Sequence, residues 1–277
     1  MTKAAAPEIV SQAFGDPRDP AMLLITGAMA SMLWWPEALC KKLAGEGRFV
    51  IRYDNRDTGL STKYAPGEPP YTFDDMADDA VRVLDSHGIG KAHVVGMSMG
   101  GMIAQRLALR HPSRVITLTV ISSSPVGIDT SHLPGTAEAY MEHSADGAKV
   151  DWSNREQVVG FVVKDAHAIA STAHPFDEKA MRAFIEQDYD RSGDFLSATN
   201  HFMLKGSEDL KGRLHEIKAP LLVIHGTSDP IFPVEHGAAL ADAIAGARLV
   251  RIEGGGHELH PQDWDTIAAA IIAHTKP

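Results

Sequence analysis

The sequence predicts an α/β fold: a mostly parallel, twisted sheet flanked by helices, with a helical cap inserted into it. Three observations predict it. As far as Ile121, short apolar or β-branched runs alternate with amphipathic helical patterns, the order that builds a parallel sheet with right-handed crossovers. The alternation stops near Pro125 and resumes at Pro220, with only helical patterns between. In the middle of the first block, Gly96-Met97-Ser98-Met99-Gly100 lies between a strand pattern and a helix pattern, the setting of a sharp strand-to-helix turn.

Residues 9–14 suit a short edge strand, closed by the turn cluster Gly15-Asp-Pro-Arg-Asp-Pro20. Ala21-Met-Leu-Leu-Ile-Thr26 is continuously apolar up to its last residue, as strands covered on both faces are, and it runs into the small-residue loop Gly27-Ala-Met-Ala-Ser31. Pro36 belongs near the first turn of a helix that Gly45 or Gly47 closes. Arg48-Phe-Val-Ile-Arg-Tyr-Asp54 is the next strand, followed by a long loop through Asn55-Arg-Asp-Thr-Gly-Leu-Ser61 and the proline-rich residues 65–70. Thr72 and Asp75 have the spacing of a capping box. Met76, Ala80, Val83 and Leu84 then share one helical face, and Gly88 ends the helix. After the strand and helix around Ser98, stopped by His111-Pro112, residues 115–121 form another strand. Helical patterns follow at 136–145, 155–171, 178–189 and 195–205. The alternation returns with a strand at 220–226, a helix at 235–245, a strand at 248–252 and a last helix at 263–274. Residues 1–124 and 214–277 are thus the core. Residues 125–213 are a cap over the carboxyl edge of the sheet, where open α/β sheets bind ligands.

A serine aimed out of so tight a turn needs small neighbours two residues away on each side, which Gly96 and Gly100 supply, while Gly101 lets the helix approach the sheet. The helix start offers free amides and a positive dipole end. If Ser98 is a nucleophile, it needs a base and an acid to orient that base. Asp229 follows the strand in His225-Gly-Thr-Ser-Asp-Pro230, and His257 follows the last strand in Glu253-Gly-Gly-Gly-His257, so both arrive at the edge of the sheet that Ser98 occupies. With 14 histidines in the chain, position must decide among them. His87 and His93 read as surface or strand-entry residues, His111 ends a helix, and His143, His167, His174 and His201 fall in the cap. Asp129, just beyond the strand ending at Ile121, is the rival acid. A developing oxyanion would take the backbone N–H of Met99 and, from the loop after the first buried strand, that of Ala28. Met29, Met32 and Trp34, with Met99, either form an apolar pocket wall or pack in the core.

Gly96-Met-Ser-Met-Gly-Gly101, Tyr53-Asp-Asn-Arg-Asp-Thr-Gly-Leu-Ser61, His225-Gly-Thr-Ser-Asp-Pro230 and Gly255-Gly-His257 together resemble the serine-dependent α/β-hydrolases, over nearly the whole chain outside the cap. The Arg-Tyr-Asp-x-Arg-Asp-Thr-Gly-x-Ser pattern is similar to that of the anthracycline methylesterases. The resemblance implies an α/β-hydrolase fold and cofactor-free hydrolysis of a small, largely apolar carboxylic ester, such as a methyl ester of a polyketide-like acid. Enol-lactone hydrolysis, C–C bond hydrolysis and cofactor-free perhydrolysis share the same triad, and a non-catalytic receptor on a hydrolase shell is the remote alternative. One departure is Thr26-Gly27, where many relatives carry His-Gly. It bears on how a substrate is oriented.

Composition narrows the partners. The 277 residues are 44% hydrophobic, enough for one substantial core. A formal charge of -10 argues against nucleic acid and against an anionic membrane surface. The start, Met1-Thr-Lys-Ala-Ala-Ala-Pro7, lacks a signal-peptide apolar core, and no run reaches membrane-spanning length. The single cysteine, Cys40, excludes an internal disulfide and reads as packing. The expectation is a cytoplasmic enzyme with a small-molecule ester as its partner. No metal site is expected either: His257-Glu-Leu-His260 has i, i+3 histidines, not the i, i+4 pair of a helical zinc motif.

Overall fold

A computed structural model describes residues 6–205 and 210–276. The extreme N-terminal residues 1–5 lie outside the described residues, and so does most of the start examined above. Seven strands form one sheet: β1 (Ser11–Phe14), β2 (Ala21–Ile25), β3 (Phe49–Tyr53), β4 (Ala92–Met97), β5 (Val115–Ile121), β6 (Leu221–Gly226) and β7 (Arg248–Ile252). Their order is β1-β3-β2-β4-β5-β6-β7, with β1 antiparallel to β3 and every other pair parallel. The chain therefore steps outward from β2 to β3 and then crosses back to β4. The crevice beyond β2 and β4 is the topological switch point, where parallel sheets open for ligands.

Both faces are covered. β2 shows how: Leu23 and Ile25 enter the larger apolar cluster, and Met22 and Leu24 the other. Helices α2 (Phe73–Ser86) and α3 (Met99–Arg110) pack in the first, α1 (Glu37–Gly45) and α8 (Trp264–His274) in the second. A strand with two buried faces cannot alternate apolar with polar, which is why residues 21–25 read as one apolar run. The capping box of α2 is present: the Thr72 hydroxyl accepts from the Asp75 amide, and the Asp75 carboxylate accepts from the Thr72 amide at 2.8 Å. Helix α7 (Val234–Asp242) completes the crossover between β6 and β7.

Between β5 and β6 the described residues contain helices α4 (Glu138–Ala145), α5 (Arg155–Ala168) and α6 (Glu178–Ser192), with 3-10 turns and no strand. Val158, Val159, Val163, Ile185 and Phe195 give this insert a small apolar cluster of its own. The segment expected to be helical at 195–205 is a 3-10 stretch, Ser197–Met203, not an α-helix. Local polar competition explains it: Thr199 donates its hydroxyl to Leu196 O at 2.6 Å. Asn200 and His201 are meanwhile drawn to buried partners in the core. Helix α5 stops at Ala168 rather than 171, where Ser171 turns its hydroxyl to Gly254 O at 2.7 Å. Among the described residues no helix is long and apolar enough to cross a membrane.

Cys40 is fully buried on α1, and burial pushes its thiol up to about 12. A protonated thiol away from solvent is inert, so a thiol reagent at pH 8 should leave the folded protein unmodified. One equivalent should react once urea unfolds the chain, as followed by mass spectrometry. Modification at comparable rates in both states would contradict this packing.

Candidate active site

The switch point brings the C-terminal ends of parallel strands together. Ser98 follows β4 directly and leads α3 with φ 54° and ψ −123°. A positive φ is unfavourable for any residue with a Cβ, by about 1–3 kcal/mol, and persists only where neighbours over-determine it. Here they do. Ser98 N–H donates to Ile121 O at 2.9 Å, and Ser98 O accepts from Gly101 N–H at 2.9 Å and from the Ser123 hydroxyl at 2.7 Å. A Cβ on Gly96 would overlap the Gly100 carbonyl, and one on Gly100 would overlap the Ile25 carbonyl. The two glycines are thus required by close backbone approach, as the sequence pattern asks.

Asp229 and His257 leave β6 and β7 at the same edge and meet. His257 Nδ1 lies 2.7 Å from Asp229 Oδ2, and both residues are buried. Asp229 Oδ1 accepts from the amides of Ile231 and Phe232, each at 2.9 Å. Burial raises the Asp229 carboxyl, but His257 and the Phe232 amide outweigh it and hold the group below its ordinary value. A charged carboxylate only accepts, so the proton of the His257 ring sits on Nδ1 and Nε2 is left with its lone pair. Asp129, the rival acid, is exposed and holds the Ser131 amide of its own loop at 2.9 Å. The Ser98 hydroxyl is half-buried and makes no hydrogen bond to His257 among the described residues. The structure therefore joins Asp229 to His257 and brings Ser98 to the same edge without closing the last link.

The loop after β2 lies beside Ser98: a Cβ built on Gly27 would stand 3.2 Å from Ser98 Cβ. The amides of Ala28 and Met99 donate to no acceptor among the described residues. Thr26, which stands where many serine hydrolases have histidine, braces this loop from its own side chain. Its hydroxyl donates to Ala30 O at 3.1 Å and lies 3.1 Å from the Asn55 Nδ2 that donates to it. Met32 and Met99 are buried, Met99 in the larger core cluster. Met29 is half-buried, with φ 60°. Trp34 packs against the insert's cluster, edge-on to Phe184 at 5.1 Å, and its Nε1 donates to Asp188 at 3.0 Å.

Several residues here carry no local signal in the sequence. The Arg-Tyr-Asp-Asn-Arg-Asp motif is a buried polar hub. Arg56 forms a two-toothed pair with Asp79 of α2, at 2.5 and 2.9 Å. Asp57 accepts from the Tyr64 amide, the Tyr71 hydroxyl and Asn200 Nδ2. Asp54 pairs with Arg191 of α6 at 2.7 Å. His201, left open as a cap residue by sequence reasoning, is buried between the Met29 amide and Arg56 O. His93, expected at the surface or a strand entry, does stand at the entry of β4, but it is buried there against Thr117 Oγ1 at 2.9 Å. On the insert, His143 of α4 comes within 3.2 Å of Asp165 of α5. Burial raises the Asp165 carboxyl, against the opposing effect of His143 beside it.

His174, His260 and Asp263 could in principle offer ligand atoms to a metal, all within 4.8 Å of one another. The two imidazoles, however, stack at 4.4 Å with only 20° between their planes. Lone pairs lying in two nearly parallel planes do not converge on one ion at about 2.0–2.1 Å. The His174–Asp263 hydrogen bond at 3.0 Å already satisfies the carboxylate.

Comparison with known proteins adds a lineage. Residues 20–263 match the family model of the alpha/beta hydrolase fold. Rhodomycin D methylesterase DauP of Streptomyces sp. (strain C5) is 36% identical over 284 aligned positions, covering 96% of this chain and 94% of the relative. Rhodomycin D methylesterase DnrP of Streptomyces peucetius is 34% identical with the same coverage. Among solved structures, the esterase EaEST of Exiguobacterium antarcticum superposes with a TM-score of 0.79 at 24% identity, covering 98% of this chain and 96% of that one.

The strain at Ser98 has a measurable consequence. Glycine adopts its φ without the Cβ penalty, so Ser98→Gly should be more stable than Ser98→Ala by about 1 kcal/mol. Urea midpoints of the two variants measure the difference, and equal midpoints would mean that the turn is unstrained.

Proposed function

Because the chain belongs to the alpha/beta hydrolase fold family, we propose that it is a cofactor-free carboxylic ester hydrolase that works through an acyl-enzyme on Ser98. The observation that carries this reading is the His257–Asp229 hydrogen bond of 2.7 Å, at the sheet edge where Ser98 stands out from its turn. Ser98 Oγ attacks the ester carbonyl carbon while His257 Nε2 takes the hydroxyl proton. The amides of Met99 and Ala28, which have no acceptor among the described residues, receive the oxyanion. Collapse of the tetrahedral intermediate breaks the C–O bond, and the proton on Nε2 goes to the departing alkoxide. Water then attacks the acyl-enzyme with His257 as base, which releases the acid and restores Ser98. Asp229 holds the ring in the tautomer that leaves Nε2 free to act, and its charge offsets the imidazolium formed in each half-reaction. The hydrogen bond from Ser98 to His257 forms with substrate in place, as such contacts commonly tighten only in the complex.

Residues 125–213 act in this reading as a cap over the site, and Met29 and Met32 as part of the apolar wall beneath it. Similarity to two rhodomycin D methylesterases supports a methyl ester of a polyketide-like acid as the substrate. The products of an ester and lactone panel would separate this from enol-lactone hydrolysis.

Ser98→Ala should lower kcat on a p-nitrophenyl ester by several orders of magnitude, on the order of the ~10^6-fold seen when a serine triad loses its nucleophile. A fluorophosphonate should label Ser98 in the wild type and nothing in the variant. Asp229→Asn should leave the fold intact and cost about 10^4-fold, because a carboxamide stabilises the wrong tautomer. Turnover by Ser98→Ala within tenfold of wild type would end the proposal.

A further inference from the structure

The loop that supplies the Ala28 amide is held by the insert as well as by the core. Met29 occupies the third position of the 27–30 turn with φ 60°. A type II turn wants glycine at that position, whereas rotating the 28–29 peptide by half a turn gives a type I turn with negative φ, which methionine adopts freely. Something must therefore hold the less favourable peptide orientation, and His201 is placed to do so. The Met29 N–H donates to His201 Nδ1 at 3.0 Å, and His201 Nε2 donates to Arg56 O at 2.7 Å. Since a carbonyl can only accept and an amide can only donate, the ring is neutral and carries its proton on Nε2. With both nitrogens committed and the residue buried, the imidazole has one orientation.

The same loop is tied further along. Ser31 Oγ donates to Asp188 Oδ1 at 2.6 Å, and Trp34 Nε1 to Asp188 Oδ2 at 3.0 Å. The Met32 amide donates to Asp54 Oδ1 at 2.7 Å, and Arg191 Nη2 pairs with Asp54 Oδ2 at 2.7 Å. Asp188 and Arg191 lie in the last turns of α6, and His201 in the 3-10 stretch that follows.

We propose that His201 is a positioning residue for the oxyanion site: by accepting from the Met29 N–H and holding the 28–29 peptide against its preferred flip, this insert residue fixes the shape of the loop from which the Ala28 N–H is offered to the substrate carbonyl. The proposal rests on the assignment of Ser98 as nucleophile and Ala28 as oxyanion donor, and adds that the insert builds part of the catalytic site as well as covering it. A flip at 28–29 changes ψ of Ala28 and φ of Met29 and leaves φ of Ala28 alone, so it acts by reversing the Ala28 carbonyl dipole beside the donating N–H and by releasing the loop that carries it. The loss should therefore fall on transition-state stabilisation and leave ground-state binding nearly alone.

The test is a double-mutant cycle between His201→Ala and Met29→Gly, with His201→Asn as a conservative control. His201→Ala should lower kcat by about 10- to 100-fold, below the ~10^2–10^3-fold cost of losing an oxyanion donor outright, with KM changed less than threefold. Affinity for a boronic acid transition-state analogue should fall in proportion to kcat. In the Met29→Gly background, where glycine accepts positive φ unaided, the same His201→Ala change should cost less than threefold. His201→Asn keeps an acceptor near the Nδ1 position and should stay within fivefold of wild type, which also serves if the alanine variant does not fold. Amide exchange over residues 27–34 should quicken in His201→Ala, a readout independent of activity. A kcat unchanged in His201→Ala, an equal loss in both backgrounds, or a folded His201→Asn as impaired as an alanine variant would each overturn the proposal. Failure of the wild type to react with a fluorophosphonate would instead remove the Ser98 assignment, while the exchange comparison still decides whether His201 holds the loop.

Discussion

The structure depends on one constraint, the approach of three stretches of backbone at the switch point between β2 and β4. The end of β2, the turn at Ser98 and the first turn of α3 come so close that Gly96 and Gly100 have no room for a Cβ. This contact forces Ser98 into its positive φ and lifts its side chain out of the turn. It also places the start of α3, whose Met99 amide has no acceptor among the described residues, against the loop that leaves β2. The proposed nucleophile and oxyanion donors are therefore not separate features of the fold. They are two consequences of one packing contact, and the local strain of about 1–3 kcal/mol is carried by the burial around it.

A second layer of order is polar. Arg56, Asp57, Asp79, Asp188, Asn200 and His201 are all buried, and Arg191 of the insert meets the fully buried Asp54. Buried ion pairs are weak sources of stability, because removing two charges from water costs about as much as their attraction returns. Their value lies in geometry. An apolar seam between the insert and the core would accept many registers of similar energy. A seam in which Asp188 must meet Ser31 and Trp34, and His201 must meet Met29 and Arg56, accepts one. Through Asp54 and Asp57, which meet Arg191 and Asn200, the motif at residues 52–57 is thus a docking surface for the insert.

Much of this was legible in the sequence, and the physics says why. Strands covered on both faces read as unbroken apolar runs, so residues 21–25 and 221–224 announced themselves. Thr72 announced α2 through a cap that is local in sequence. Ser98, Asp229 and His257 stood out because each follows a strand, and parallel strands end at one edge. What stayed hidden has no local signature. His201 finds its partners 172 and 145 residues away, and the stretch around it has helical spacing but forms 3-10 turns. His93 was legible as an entry residue of β4, but its burial was not, because a histidine in an apolar strand is unusual. Its hydroxyl partner, Thr117, is on the neighbouring strand and invisible to periodicity. Trp34 could equally have been pocket or core, and the sequence could not say that its core would be the insert's own.

These two kinds of order divide the site between them. Asp229 has both oxygens occupied and His257 has Nδ1 bound, so the proposed acid and base form a finished unit before any ligand arrives. Ser98 is fixed by its turn. The part that is not fixed by the core alone is the Ala28–Met29 peptide, because a methionine at that position favours the other orientation. On the proposed assignment, a site whose acid, base and nucleophile are set by the sheet, but whose second oxyanion donor sits in a loop braced by the insert, joins rate to the seating of the insert. Variation in the insert would then alter turnover as well as selectivity, through hydrogen bonds that touch neither substrate nor triad.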